Sequence, residues 1–131
     1  MIKKLILGTV QLGLDYGINN RSGKPTHEKA CEILHCAYDN GIRILDTAEA
    51  YGNSQEVIGA FLKENPEKQF HVISKLTANH GLLKNELFDH IAENLKILSL
   101  DQLYGYMFHN YNSFKTSTFL YDEVLQSKAL D

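Results

Sequence analysis

Cysteine is scarce in this chain. Cys31 and Cys36 are the only two, and both fall on one helical pattern. Their spacing suits neither a local disulfide nor a metal clip, and the lack of a paired framework fits a reducing compartment. A basic block is missing too, and the formal net charge is -3, which argues against a nucleic-acid surface. Long apolar runs are absent. Leu5-Ile6-Leu7, behind Lys3-Lys4, is too short for a signal-peptide core, and no later stretch is long enough to cross a membrane. Gly13, Gly17 and Gly23 do not form a GxGxxG fingerprint. There is no low-complexity segment. These absences lead us to expect a single cytoplasmic domain over residues 1–131, with no metal site and no membrane or nucleic-acid partner.

What is present is ordinary in amount and regular in order. Apolar residues make up 44% of the chain and charged ones 22%, enough for a real core. Lys4 to Gly8 reads as a buried strand closed by glycine, followed by a long polar excursion from Thr9 to Pro25. Thr26 is placed to cap a helix with an apolar face of Ala30, Ile33, Leu34 and Ala37. Ile42 to Leu45 is the second strand. Asn53 and Glu56 look like a capping pair for a helix burying Val57, Ile58, Phe61 and Leu62, which Asn65-Pro66 stops. His71 to Ser74 is the third strand, ending at Lys75. Lys84 to Leu98 is a helix with Leu87, Phe88, Ile91, Leu95 and Leu98 on one side. Gln102 to Phe108 is the fourth strand, ending at His109-Asn110, and Ser117 to Lys128 is a last helix. Strands alternating with helices predict right-handed crossovers and a parallel sheet in the order of the sequence.

The pattern sets Asp46, Lys75 and His109 at the C-terminal ends of successive strands, with Tyr51 in the loop beyond Asp46. Ligands bind at that end of α/β sheets and barrels. A free tyrosine has a pKa near 10. A lysine ammonium beside Tyr51 is expected to favour the phenolate, and Asp46 to balance and fix Lys75. His109 is then placed to orient a carbonyl oxygen or help pass its proton. Each residue also has a plain structural explanation: Asp46 as a cap or loop acid, Lys75 as a solvated strand-end lysine, His109 as a core or loop histidine, Tyr51 as a packing aromatic. Their corresponding positions in successive units favour a shared site.

The motifs are Leu7-Gly8-Thr9-Val10-Gln11-Leu12-Gly13, Leu45-Asp46-Thr47-Ala48 with Tyr51-Gly52-Asn53-Ser54, Ser74-Lys75-Leu76, and His109-Asn110. Together they resemble the aldo-keto reductase family over essentially the whole chain. The resemblance implies an α/β fold of the parallel (β/α)8 TIM-barrel type, represented by its first four β/α units. It implies an NADPH-dependent oxidoreductase that reduces an aldehyde or ketone to an alcohol. The catalytic tetrad would be Asp46, Tyr51, Lys75 and His109, with Tyr51 as general acid. Gly8, Thr9, Val10 and Asp46 would lie near the nicotinamide of the cofactor. Gln55 stands where the family usually has glutamate.

A complete barrel of this type typically needs about 250 residues, and this chain has 131. The resemblance implies that most of the cofactor grip belongs to a second half. The alternatives are an inactive half-barrel fragment or interaction module, and an isomerase or aldolase using Lys75 as a Schiff-base amine. The expected partners are a small carbonyl substrate and either a second copy or a C-terminal half-barrel.

Overall fold

The computed structural model describes residues 5–128, with side chains through residue 126. In chain order the elements are β1 (Ile6–Gly8), α1 (Val10–Gly13), α2 (His27–Asp39), β2 (Ile44–Asp46), α3 (Ser54–Glu64) and β3 (His71–Leu76). They continue with α4 (Leu87–Leu98), β4 (Gly105–Phe108), α5 (Tyr111–Thr116) and α6 (Thr118–Lys128). The four strands are all parallel and lie in the order β1-β2-β3-β4, as the alternating pattern predicts.

Strand alternation assigns the two faces. Leu7, Leu45 and Val72 are register partners and point toward the helices. There they join Leu34, Ile58, Phe61 and Leu98 in the main core. Leu76 and its partner Phe108 extend that side into a second cluster with Leu87 and Leu120. The intervening residues fall on the opposite face: Ile6 with Ile44, then Gly8, Asp46, Ile73 and Gly105 in one row, then Lys75 with Met107. No element among the described residues covers this second face, and Ile6 and Met107 are exposed.

The helices form largely where the periodicity places them. The Thr26 side chain accepts from the Lys29 N–H at 3.2 Å and starts α2. Other details differ. The expected strand start at Lys4 lies outside the described residues. Within the long excursion, α1 forms one helical turn directly after β1. Asn53 makes no side-chain cap for α3; its carboxamide oxygen instead accepts from Lys24, brought over by the excursion. Phe88 does not share the buried side of α4 but stays 50% exposed. The last helix forms where expected, as α6, but an additional short helix, α5, precedes it, opened by Asn110 with a capping box to Ser113.

Candidate active site

The three strand-end residues and Tyr51 from the loop after β2 are all brought to the C-terminal end of the sheet. Lys75 Nζ lies 2.5 Å from Asp46 Oδ1, between neighbouring strands. It also donates to the Thr47 carbonyl at 2.9 Å and reaches the Tyr51 hydroxyl at 3.5 Å. All three ammonium hydrogens therefore have an acceptor. The lysine side chain is only 13% exposed and Asp46 33% exposed, so the pair balances charge in a partly desolvated place. The His109 ring stands edge-on to the Tyr51 ring with centroids 5.9 Å apart. Its Nδ1 is buried and has no hydrogen-bond partner among the described residues.

The loop carrying Tyr51 is seated by contacts its own sequence does not announce. Ser54 donates its hydroxyl to the Thr9 carbonyl at 3.0 Å and lies 3.2 Å from the Thr47 hydroxyl, and all three residues are fully buried. Thr9 donates both its N–H and its hydroxyl to the Asp46 carbonyl, each at 3.0 Å. The polar atoms of Thr9 are thus committed inside the protein, where they support Asp46 from below. Gly8 is different: a Cβ there would meet nothing within 4 Å, so its side toward the open face is free space. Gln55 is buried and donates to the Ser74 hydroxyl at 2.9 Å, immediately before Lys75. A neutral amide at this position serves as a donor, which an ionised carboxylate does not.

A second polar cluster lies behind Lys75. Glu49 accepts from the Thr77 N–H at 3.0 Å, from the Tyr106 hydroxyl, and lies 3.0 Å from His90 Nε2. Burial, then the hydrogen bond and charge of Glu49, hold the Tyr106 phenol well above the ordinary tyrosine range, so it stays a donor. Sequence reasoning assigned Glu49, His90 and Tyr106 no role. The one available signal was the position of Glu49 between Asp46 and Tyr51.

A cavity of about 930 Å³ lies to one side, with Gly8 in its lining. It runs under the Thr9 to Pro25 excursion beside β1, lined by Leu7, Gln11, Tyr16, Arg21, Lys29 and Ile33 among others, and includes none of Asp46, Tyr51, Lys75 and His109. It marks the side where β1 has no further neighbour. The chemistry of Asp46, Tyr51, Lys75 and His109 makes their cluster the candidate site, rather than the larger volume.

The sequence model of the Aldo/keto reductase family matches residues 4–127. The chain belongs to the aldo-keto reductase family. Aldo-keto reductase YhdN of Bacillus subtilis (strain 168) is 30% identical over an aligned stretch of 95 residues, and the match covers 64% of this chain and 29% of that protein. Among solved structures, PA4992 of Pseudomonas aeruginosa, assigned to the aldo-keto reductases, superposes with a TM-score of 0.62 at 30% identity. The match covers 81% of this chain and 42% of that one. The thermostable aldo-keto reductase Tm1743, solved with the inhibitor epalrestat, gives a TM-score of 0.63 at 26% identity, covering 93% and 45%. The chain therefore spans less than half the length of these relatives, which accounts for a sheet of four strands with one face open. No helix among the described residues is long and apolar enough to cross a membrane, and the described residues contain no metal-binding cluster.

Proposed function

We propose that this chain carries the proton-donating half of an NADPH-dependent reductase that converts an aldehyde or ketone to an alcohol. The observation that carries the reading is the convergence of Asp46, Lys75 and Tyr51 within hydrogen-bonding reach, beside the His109 ring. Tyr51 is the proton donor to the carbonyl oxygen. The phenolate it leaves is stabilised by the Lys75 ammonium, which Asp46 and the Thr47 carbonyl hold in place. The His109 ring, edge-on to Tyr51, helps orient the carbonyl beside it. The free space at Gly8, in register with Asp46, fits the reactive end of a nicotinamide, with Val10 beside it and Thr9 shaping the floor. NADPH bound there would supply a hydride.

The Schiff-base alternative is disfavoured by the same geometry. A nucleophilic amine must be neutral and free, whereas Lys75 donates to three acceptors. The uncovered inner face favours a second reading, in which the chain is an interaction module that catalyses nothing alone.

The test completes the barrel with the C-terminal units of a relative such as PA4992, added as a separate chain. NADPH binding is followed by nicotinamide fluorescence and turnover by aldehyde-dependent loss of NADPH absorbance. The reductase reading expects saturable binding and turnover that depends on Tyr51. A completed barrel that binds NADPH but turns over equally fast with Tyr51→Phe refutes the role of Tyr51. Failure to bind NADPH in any combination leaves the module reading.

A further inference from the structure

Glu49 sits three residues after Asp46 and two before Tyr51, yet its contacts run to other elements. Its backbone N–H donates to the Lys75 carbonyl at 3.2 Å. Its side chain accepts from the Thr77 N–H at 3.0 Å through Oε2. One residue thus holds the chain at the Lys75 carbonyl and again two residues beyond it. Its other carboxylate oxygen, Oε1, accepts from the Tyr106 hydroxyl on β4 and lies 3.0 Å from His90 Nε2 on α4. The side chain is 10% exposed. A buried carboxylate is tolerated only when its oxygens are hydrogen-bonded, and here partners on β4, on α4 and past the end of β3 meet that need.

This connects the loop between Asp46 and Tyr51, the end of β3 bearing Lys75, and the strand that leads into His109. We propose that Glu49 is a positioning residue. It fixes Lys75 against Tyr51 by gripping the backbone at the lysine carbonyl through its own N–H and at Thr77, just past β3, through the reach of its side chain. The role in catalysis rests on the reductase reading of the site. The grip itself does not.

The test is competitive acetylation of lysine amines with acetic anhydride, read residue by residue by mass spectrometry, on the whole chain and its Glu49→Ala, Glu49→Asp and Glu49→Gln variants. Lys68 serves as the internal control, because it is similarly sheltered and paired with Asp39 at 2.6 Å, before β3 begins. Glu49→Gln keeps the length and an oxygen for the Thr77 N–H. Glu49→Asp keeps the charge but is one methylene too short to span Thr77 and Tyr106. Losing one or two such hydrogen bonds should raise Lys75 labelling roughly threefold to tenfold in Glu49→Ala and Glu49→Asp. Lys68 should stay unchanged in both, and Glu49→Gln should resemble the parent. If Glu49→Ala does not fold, Glu49→Asp against Glu49→Gln carries the comparison. Unchanged Lys75 labelling in the shortened variants overturns the proposal. So does a parallel rise at Lys68, which would mean general loosening, and so does labelling in Glu49→Gln as fast as in Glu49→Asp. The labelling requires neither NADPH nor a carbonyl compound. A chain that labels as expected but binds no NADPH therefore fails the reductase reading alone.

Discussion

Gly13 and Tyr51 meet backbone to backbone: a Cβ on Gly13 would lie 1.8 Å from the Tyr51 carbonyl oxygen. The contact is reciprocal, since a Cβ on Gly52, whose φ is +57°, would lie 2.3 Å from the Gly13 carbonyl oxygen. The last residue of α1 and the turn bearing the proposed acid can approach this closely only because both glycines lack side chains.

Gly13→Ala should therefore displace the Tyr51 turn rather than merely crowd it. Overpacking of this kind costs about 1–3 kcal/mol. Urea denaturation should show the loss as a lower midpoint with an unchanged slope, and the tyrosine near-ultraviolet signal should change. A variant as stable as the parent with the same tyrosine signal would mean that α1 can slide away freely.

Ser54→Ala should lower stability by about 1–2 kcal/mol, because it leaves the buried Thr47 hydroxyl without its serine partner and takes one of two donors from the Thr9 carbonyl, which keeps only the Leu12 N–H. Chemical denaturation checks the value, and the reductase reading adds that turnover in a completed barrel should fall as well. A change within a few tenths of a kcal/mol would indicate that water replaces the serine hydroxyl.

Tyr51→Phe in a completed barrel should lower turnover by on the order of 10² or more while NADPH binding is retained, since a general acid contributes roughly that much. The separation of the two measurements is the point: lost binding would assign Tyr51 to the cofactor pocket rather than to proton transfer.

Alkaline stability should carry the signature of Tyr106. Its folded pKa lies above the unfolded value, so its contribution is fully present below pH ~10 and is lost as pH rises further, when the unfolded chain ionises and the folded one does not. Above pH ~10 the parent should lose stability more steeply than Tyr106→Phe, by at most about 1.4 kcal/mol per pH unit for one proton. Parallel decline of the two proteins would show that Tyr106 is free to ionise in the fold.

The sheet edges predict association. Among the described residues β1 pairs only with β2 and β4 only with β3, while Leu5 and Ile6 next to one edge and Met107 on the other are exposed. Neither strand carries a proline. Open edges with apolar faces drive pairing or aggregation. Sedimentation of the isolated chain at micromolar concentration should reveal dimers or larger species. A compact monomer with cooperative thermal unfolding would contradict this.

Alternation of apolar strands with amphipathic helices is a local pattern, and it sufficed for the strand order, the parallel pairing and the placement of Asp46, Lys75 and His109 at one end of the sheet. A strand-end position follows from where an apolar run stops, so these residues were legible one segment at a time. The interactions that hold the site were not. Glu49 finds Thr77, His90 and Tyr106 at separations of 28, 41 and 57 residues, and Ser54 finds Thr9 45 residues away. Asn53 lost its expected cap to Lys24, which only the folded excursion brings near. A buried polar group must pair with whatever donor or acceptor the packing delivers to it. Packing is decided by all four strands and their helices together, so those partners belong to the tertiary structure alone.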